Sequence, residues 1–157
     1  MLDVCRVATG SMRVNCYILG DAATGLGAIV DPGGETPENG SDMILRECGK
    51  MGVKVSVILL THAHFDHILS LERVRKATGA PLAAHRYDAP ALADPSISYM
   101  SQYAGKNSPE EPPESLLDDG DTITIGESVL RVMHTPGHTP GSVIYISEEP
   151  RFILSGD

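Results

Sequence analysis

One stretch of this sequence limits the fold more than any other: a strand-length apolar run that ends in a cluster of histidines. Residues 53–60 are mostly apolar, and the next seven residues, 61–67, read THAHFDH. A nearly continuous apolar run of this length is typical of a strand that is covered on both faces. We therefore expect a buried strand with three imidazoles and a carboxylate directly after it.

The rest of the chain alternates short apolar segments with segments of helical periodicity. Strands are predicted at 2–8, 13–19, 26–30, 53–60, 81–85, 122–125, 128–133, 143–147 and 152–154. Helices are predicted at about 39–51 and 66–77, and the glycines that follow them suit C-terminal caps. Residues 88–115 hold five of the eleven prolines and predict a long surface loop with a helical turn near 89–93. Helices that lie between strands indicate an α/β (α+β) sandwich of sheets with outer helices, formed by residues 1–157 as one domain.

The cluster after the central strand has the chemistry of a metal site. In an extended chain His62 and His64 project to the same side, because side chains alternate along a strand. Asp66 and His67 then begin the predicted helix, which redirects them. Imidazole nitrogen and carboxylate oxygen are ligands of hydrolytic zinc and of non-haem iron. Clustered imidazoles without a metal would repel one another once protonated, so metal binding is expected here.

A second histidine segment follows a later strand, and residues 134–142 read HTPGHTPGS. Its prolines and glycines fix the backbone, and a rigid loop loses less entropy when it holds a ligand. His138 is the candidate ligand of this loop, whereas His134, at the strand end, is expected to be structural. His85 has no ligand-like neighbours in sequence and is also expected to be structural. The segment 152–157 is a third strand followed by a turn, and it ends in Asp157.

Four motifs of this chain, in the same order, resemble those of the metallo-β-lactamase-fold hydrolases. They are Asp31-Pro32-Gly33, residues 61–67, residues 135–139 and Ser155-Gly156-Asp157. The early Asn15-Cys16-Tyr17 and the proline-rich loop are most similar to the glyoxalase II-like branch. The resemblance implies the αββα metallo-β-lactamase sandwich.

The resemblance also implies a ligand set with one or two metal ions. His62, His64 and His138 would hold one ion, Asp66 and His67 a second, and Asp157 would bridge the two. Asp66 would in addition be the catalytic residue that orients the nucleophile, and Asp31 would orient a ligand or simply form a turn. The ions would be zinc, although iron and manganese also suit histidine and aspartate ligands.

The sequence departs from the family pattern after the Ser-Gly-Asp motif. The family supplies a further histidine to the second metal from beyond this point, together with the strands and helix that complete the sandwich. The sequence reaches only Asp157, so we expect the C-terminal half of the fold to be largely missing from it. Either the chain is truncated or its second metal site is incomplete. Apolar sheet surface left exposed in this way would favour association, including a homo-oligomer.

Three functions fit these residues. The first is metal-dependent hydrolysis of thioesters, as in hydroxyacylglutathione hydrolases. The second is a mononuclear iron persulfide dioxygenase that uses His62, His138 and Asp157. The third is a metal-binding fragment without turnover. The resemblance to a glyoxalase II-like enzyme implies a small-molecule substrate, with a glutathione thioester as the candidate.

Composition narrows the partners and the location. The chain has 12 Lys and Arg against 21 Asp and Glu, a net charge of −9, which disfavours a nucleic-acid backbone as partner. Its longest strongly apolar stretch, 55–60, is far shorter than the ~20 residues that span a bilayer. The N-terminus lacks a signal-peptide pattern. The three cysteines form no CxxC pair and are expected to be reduced thiols. We therefore expect a cytoplasmic protein without membrane or nucleic-acid partners.

Overall fold

The computed structural model of the chain describes residues 1–94 and 111–157, and these ranges contain ten strands and four helices. The strands are β1 Leu2–Thr9, β2 Val14–Asp21, β3 Leu26–Val30, β4 Lys54–Leu59, β5 Leu82–His85, β6 Ser115–Leu117, β7 Thr122–Ile125, β8 Ser128–His134, β9 Val143–Glu148 and β10 Arg151–Leu154. The helices are α1 Ser41–Met51, α2 Phe65–Ile68, α3 Leu71–Thr78 and α4 Ala89–Ala93.

The strands form two sheets that pack face to face. The first sheet has the order β1-β2-β3-β4-β5-β6, and the second has the order β10-β9-β8-β7. One apolar core lies between the first sheet and the helices, and the other lies between the two sheets. On β4, Ile58 belongs to the helix-side core and Leu59 to the inter-sheet core, and both are fully buried. This confirms the predicted sandwich and the two-sided burial of its central strand.

Parallel pairing brings the functional turns to one edge of the first sheet. Strands β3, β4, β5 and β6 run parallel, whereas β1, β2 and β3 form an antiparallel meander. The carboxyl ends of β3, β4 and β5 therefore meet at one edge, where α/β sheets commonly bind ligands. Asp31 follows β3, Thr61 follows β4 and Asp88 follows β5. The amide of Val143, at the start of β9, donates to the carbonyl of Thr61 over 2.9 Å and brings the second sheet to this edge.

Two details of the sequence prediction are wrong. The helix predicted at 66–77 is broken into α2 and α3, because the Ser70 amide donates to the Pro32 carbonyl over 2.9 Å instead of to the preceding helical turn. The Ser70 hydroxyl also donates to the Gly34 carbonyl. Strand β6 lies where the sequence predicted the end of a loop. Three residues are too few to show the periodicity of a strand, and it is the parallel pairing with β5 that stabilises this one.

Other local predictions are confirmed. Gly52 and Gly79 cap α1 and α3 in the left-handed conformation, and α4 lies where a helical turn was predicted. The hairpin β7–β8 turns at Gly126 and Glu127. Residues 95–110 of the predicted long loop lie outside the described residues. In the two described ranges, no helix combines the length and the apolar character that a membrane crossing requires.

Asp21, at the end of β2, joins the two sheets far from the edge that carries the histidines. Its buried carboxylate accepts hydrogen bonds from the Glu127 amide over 3.1 Å and from the Ser128 hydroxyl over 2.8 Å. It also accepts one from the Thr24 hydroxyl over 2.8 Å. These donors, the Glu127 amide first, hold the pKa of Asp21 well below its usual range.

Tyr145 connects the second sheet to the segment that precedes the histidines. It is fully buried on β9, and its hydroxyl donates to the Leu60 carbonyl over 2.6 Å. Tyr145→Phe leaves that carbonyl without its partner, so we expect it to lower the free energy of unfolding by about 1–3 kcal/mol. Urea denaturation measures the loss, with Tyr17→Phe, at a half-buried position, as the control. An unfolding free energy equal to that of the unchanged protein would contradict it.

Candidate metal centre

Three imidazoles from two separate loops converge at the edge described above. His62 and His64 follow β4, and His138 lies in the loop between β8 and β9. Their ring centroids are 4.8 Å apart for His62 and His64, 4.7 Å for His62 and His138, and 4.4 Å for His64 and His138. One ring nitrogen from each lies within 4.8 Å of the others. The rings are steeply inclined to one another, so their nitrogens can face a common point.

His62 is held in one tautomer by a chain of hydrogen bonds. Thr61 Oγ1 lies 2.6 Å from Asp31 Oδ2 and 3.0 Å from His62 Nδ1. The carboxylate can only accept, so the single hydroxyl hydrogen goes to Asp31, and His62 Nδ1–H donates to Thr61 Oγ1. The other nitrogen, His62 Nε2, is buried and has no hydrogen-bond partner among the described residues. Its lone pair faces the other imidazoles, and a buried orphan acceptor in such a setting fits a metal ion.

A second group of ligand atoms surrounds His67. His67 Nδ1–H donates to Asp31 Oδ2 over 3.0 Å, which leaves Nε2 as the outward nitrogen. Asp157 Oδ1 lies 3.3 Å from this Nε2, and Asp66 Oδ2 lies 3.8 Å from it. Asp157 Oδ2 is also 3.6 Å from His138 Nε2. Asp157 therefore lies between the two groups.

Asp31 connects the two groups of ligand atoms through hydrogen bonds to Thr61 and His67. The residue is buried and has a left-handed backbone with φ of 53°. Its Oδ1 accepts from the Thr61 amide over 2.8 Å, and its Oδ2 accepts from the Thr61 hydroxyl and from His67. Because both oxygens are used in this way, Asp31 orients His62 and His67 rather than offering a free ligand atom.

The charge states of the imidazoles differ because their surroundings differ. Burial lowers the pKa of His62 to about 3, and the neighbouring His67 acts in the same direction. Burial also lowers the pKa of His64, with a further contribution from His138. Burial disfavours the charged form of His67 as well, but the hydrogen bond that His67 donates to Asp31 and the negative charge of Asp31 prevail and raise the pKa of His67 to about 9. At neutral pH the His62 imidazole is thus uncharged, and the lone pair of its Nε2 is available to a metal ion.

The structure brings the six residues predicted as ligands together at this edge, whereas the other two histidines belong to neither group of potential ligands among the described residues. His85 is buried and stacks on His134, with ring centroids 4.0 Å apart. His134 Nε2–H donates to the Pro140 carbonyl over 2.8 Å, so this ring supports the loop that carries His138. A small cavity of about 60 Å³ opens beside His67 and Asp157 and is also lined by Asn15 and Tyr17.

Sequence reasoning missed two residues that hold this edge together. Thr61 connects Asp31 to His62, and its close packing against Gly156 leaves no room for a side chain there, since a Cβ would lie 2.4 Å from Thr61 Oγ1. Asp88 is a buried carboxylate that contacts both histidine loops. Nothing in the local sequence around Asp88 indicates this, because its partners are distant along the chain.

Comparison with known families agrees with the fold and the histidine cluster. The family model of the metallo-beta-lactamase superfamily matches residues 9–157. The chain belongs to this superfamily, and the resemblance inferred from its four motifs is confirmed.

Individual relatives are longer than this chain. It is 34% identical over 152 residues to the probable metallo-hydrolase YqgX of Bacillus subtilis, and the match covers 97% of this chain and 69% of the relative. It is 34% identical over 142 residues to a hydroxyacylglutathione hydrolase of Cereibacter sphaeroides, covering 90% of this chain and 46% of the relative. The crystal structure of the BLEG-1 B3 metallo-beta-lactamase is similar with a TM-score of 0.85 and 30% identity, covering 98% of this chain and 71% of that one.

Proposed function

We propose that this chain carries the metal centre of a metal-dependent hydrolase that acts on thioesters. The observation that supports it best is His62 Nε2, a buried nitrogen without a hydrogen-bond partner that faces two further imidazoles. Its tautomer is fixed by Thr61 and Asp31, so its lone pair is available without rearrangement. Such pre-organisation favours metal binding over a purely structural role.

The proposed ligands fall into two groups. His62, His64 and His138 hold one ion, and this group has the three imidazoles typical of a hydrolytic zinc site. Asp66 and His67 hold a second ion, and Asp157 lies between the groups at 3.3 Å from His67 and 3.6 Å from His138. Zinc is the first candidate, and iron and manganese suit the same donors.

The chemistry follows from what the residues can hold and move. A divalent cation in this position supplies a Lewis acid and lowers the pKa of water to about 7, so hydroxide is available at neutral pH. Asp66 is only slightly exposed and lies in the first turn of α2, facing the edge where substrate would bind. We assign it the orientation of the attacking water and the acceptance of its proton. His67 remains oriented by its hydrogen bond to Asp31.

The substrate is proposed to be a small-molecule thioester, with glutathione thioesters as the first candidates. Support comes from the relative in Cereibacter sphaeroides, which is called a hydroxyacylglutathione hydrolase. The test measures metal content by elemental analysis and then thioester hydrolysis across a panel of acyl-glutathione and other acyl thioesters. Bound metal with hydrolysis of at least one thioester supports the proposal. Bound metal with no turnover of any substrate favours a metal-binding fragment, and activity that persists after chelation rejects the mechanism.

Asp66→Asn tests the catalytic assignment separately from the fold. The substitution keeps the shape of the side chain but removes the base and replaces a carboxylate ligand of the second ion by an amide, so we expect kcat/KM for the best thioester to fall by about 10²–10⁴-fold. Asp42→Asn is the matched control, because Asp42 is an exposed carboxylate in the first turn of α1. An Asp66→Asn protein with the activity of that control would remove Asp66 from the mechanism.

A mononuclear iron persulfide dioxygenase is the second candidate, because Asp157 Oδ2 lies 3.6 Å from His138 Nε2 and so close to the first group. Two histidines and one carboxylate on one face of an iron are typical of such oxygenases. Iron rather than zinc in the purified protein, together with oxygen consumption when glutathione persulfide is added, would favour this function. Zinc with thioester hydrolysis would favour the first.

A further inference from the structure

Asp88 is a buried carboxylate that the proposed hydrolysis does not use, yet it contacts both histidine loops. The residue is 1% exposed and lies just after β5. Its Oδ2 accepts a hydrogen bond from the Ala63 amide over 2.8 Å, and its Oδ1 accepts one from the Gly141 amide over 2.7 Å. Ala63 is the residue between His62 and His64, and Gly141 belongs to the loop that carries His138.

A third contact extends from Asp88 to the residue after His138. The Thr139 hydroxyl donates to Asp88 Oδ2 over 2.8 Å and lies 2.9 Å from the Ser142 hydroxyl. Since the single hydrogen of Thr139 goes to the carboxylate, the Ser142 hydroxyl donates to Thr139, and the Thr139 amide donates back to Ser142 Oγ over 3.0 Å. The loop is thereby closed on itself and attached to Asp88.

The packing leaves little freedom in this arrangement. A Cβ at Gly141 would lie 2.6 Å from both the Asp88 amide nitrogen and Asp88 Oδ1, so the loop backbone approaches the carboxylate at van der Waals contact. The Asp88 amide donates to the His85 carbonyl over 3.0 Å, which fixes the carboxylate relative to β5. Each histidine loop is therefore positioned against the same rigid point of the first sheet.

We propose that Asp88 is a positioning residue for the metal centre: it sets the separation between the His62–His64 turn and the His138 loop. The inference rests on the proposed function, because it assumes that these three imidazoles hold one cation. Asp88 does so through the Ala63 and Gly141 amides and the Thr139 hydroxyl, not through the imidazoles themselves. Its role is thus distinct from that of Asp31, which contacts the Thr61 side chain and the His67 ring.

Asparagine cannot reproduce this role. An asparagine side chain has one acceptor oxygen and one NH2 group, which donates. In one orientation the NH2 group would face the Gly141 amide, and in the other it would face the Ala63 amide and the Thr139 hydroxyl, which donate to Asp88 in the unchanged protein. In Asp88→Asn at least one of the hydrogen bonds that hold the histidine loops is therefore lost, and a donor faces a donor in its place. Because supporting hydrogen bonds behind metal ligands are typically worth 10–100-fold in metal affinity, the loosened site should bind its cation more weakly by a comparable factor.

The experiment is a cobalt(II) titration of Asp88→Asn, followed by the visible absorption of the bound ion. Cobalt(II) reports the number and arrangement of its ligands through its absorption bands, so the readout does not depend on activity. Asp21→Asn is the matched control. Asp21 is also 1% exposed and accepts several hydrogen bonds, but it lies at the end of β2, far from the edge that carries the histidines. Thermal unfolding of both variants shows that they are folded and how far each is destabilised.

We expect Asp88→Asn to bind cobalt(II) about 10–100-fold more weakly and with altered absorption bands, while Asp21→Asn keeps both the affinity and the bands. Thr139→Val, which removes one of the three donors, should give a smaller change in the same direction, and it decides the question if Asp88→Asn does not fold. Unchanged cobalt affinity and bands in whichever of these two variants is folded overturn the inference alone. If the protein without any substitution binds no cobalt(II), both the proposed function and this inference are overturned.

Discussion

His62→Ala is expected to abolish tight metal binding by the His62–His64–His138 group and thioester hydrolysis with it. The substitution removes the one imidazole nitrogen that is both buried and without a hydrogen-bond partner among the described residues. Two imidazoles then remain in this group, and half-exposed His138 is too accessible to water to compensate. Elemental analysis after dialysis should show a loss of about one equivalent of metal, since a structural or catalytic zinc needs at least three protein ligands.

The control for this prediction is His85→Ala, because His85 is buried to nearly the same degree, at 3% exposure against 2% for His62. His85 stacks on His134 and belongs to neither group of potential ligands in the described part of the chain. We expect His85→Ala to lose stability yet keep its metal content and its activity. Equal metal content in the two variants would mean that His62 is not a ligand.

Asp31→Asn is expected to weaken metal binding at both groups at once. Its carboxylate fixes His62 through the Thr61 hydroxyl and holds His67 directly. Asparagine tolerates the left-handed backbone that Asp31 adopts, so the turn after β3 should survive. An amide cannot accept from the Thr61 amide, the Thr61 hydroxyl and His67 together, so at least one imidazole loses its orientation. We expect metal affinity to fall by about 10–100-fold and the free energy of unfolding by about 1–3 kcal/mol.

Calorimetric metal titration and urea denaturation measure these two effects, with Asp3→Asn as the control. Asp3 is an exposed carboxylate on β1, and its substitution should change neither quantity. If Asp31→Asn lowered stability but left metal affinity at the control value, Asp31 would only shape the turn, which is the alternative that the sequence left open. If metal affinity falls by more than the loss of stability can explain, the result supports the role of Asp31 in orienting the metal ligands.

Most strands could be predicted from local pattern because their burial follows the chain directly. The alternating and continuous apolar runs of β1, β2, β3 and β4 have lengths and breaks that match the structure to within about two residues. Helix ends were visible where a glycine caps them, as at Gly52 and Gly79. The break at Ser70 was not visible, because its cause is a hydrogen bond to Pro32, a residue far earlier in the chain.

The candidate site could be predicted where its residues are close in sequence or match a family motif. His62, His64, Asp66 and His67 lie in one short segment, so their convergence needs only a strand followed by a helix. Asp88 could not be found in this way, because its partners Ala63 and Gly141 are 25 and 53 residues away. Its local sequence resembles an ordinary helix start.

The sequence by itself determined which side chains are available: the imidazoles and carboxylates, their spacing after a buried strand, and the two-sided sandwich that the apolar runs require. The tertiary structure alone decided how those side chains are held: the hydrogen-bond chain from Asp31 through Thr61 to His62, and the attachment of both histidine loops to Asp88. The physical reason is range. Apolar periodicity is a property of neighbouring residues, whereas a buried carboxylate takes its donors from whichever backbone the folded sheets bring within about 3 Å.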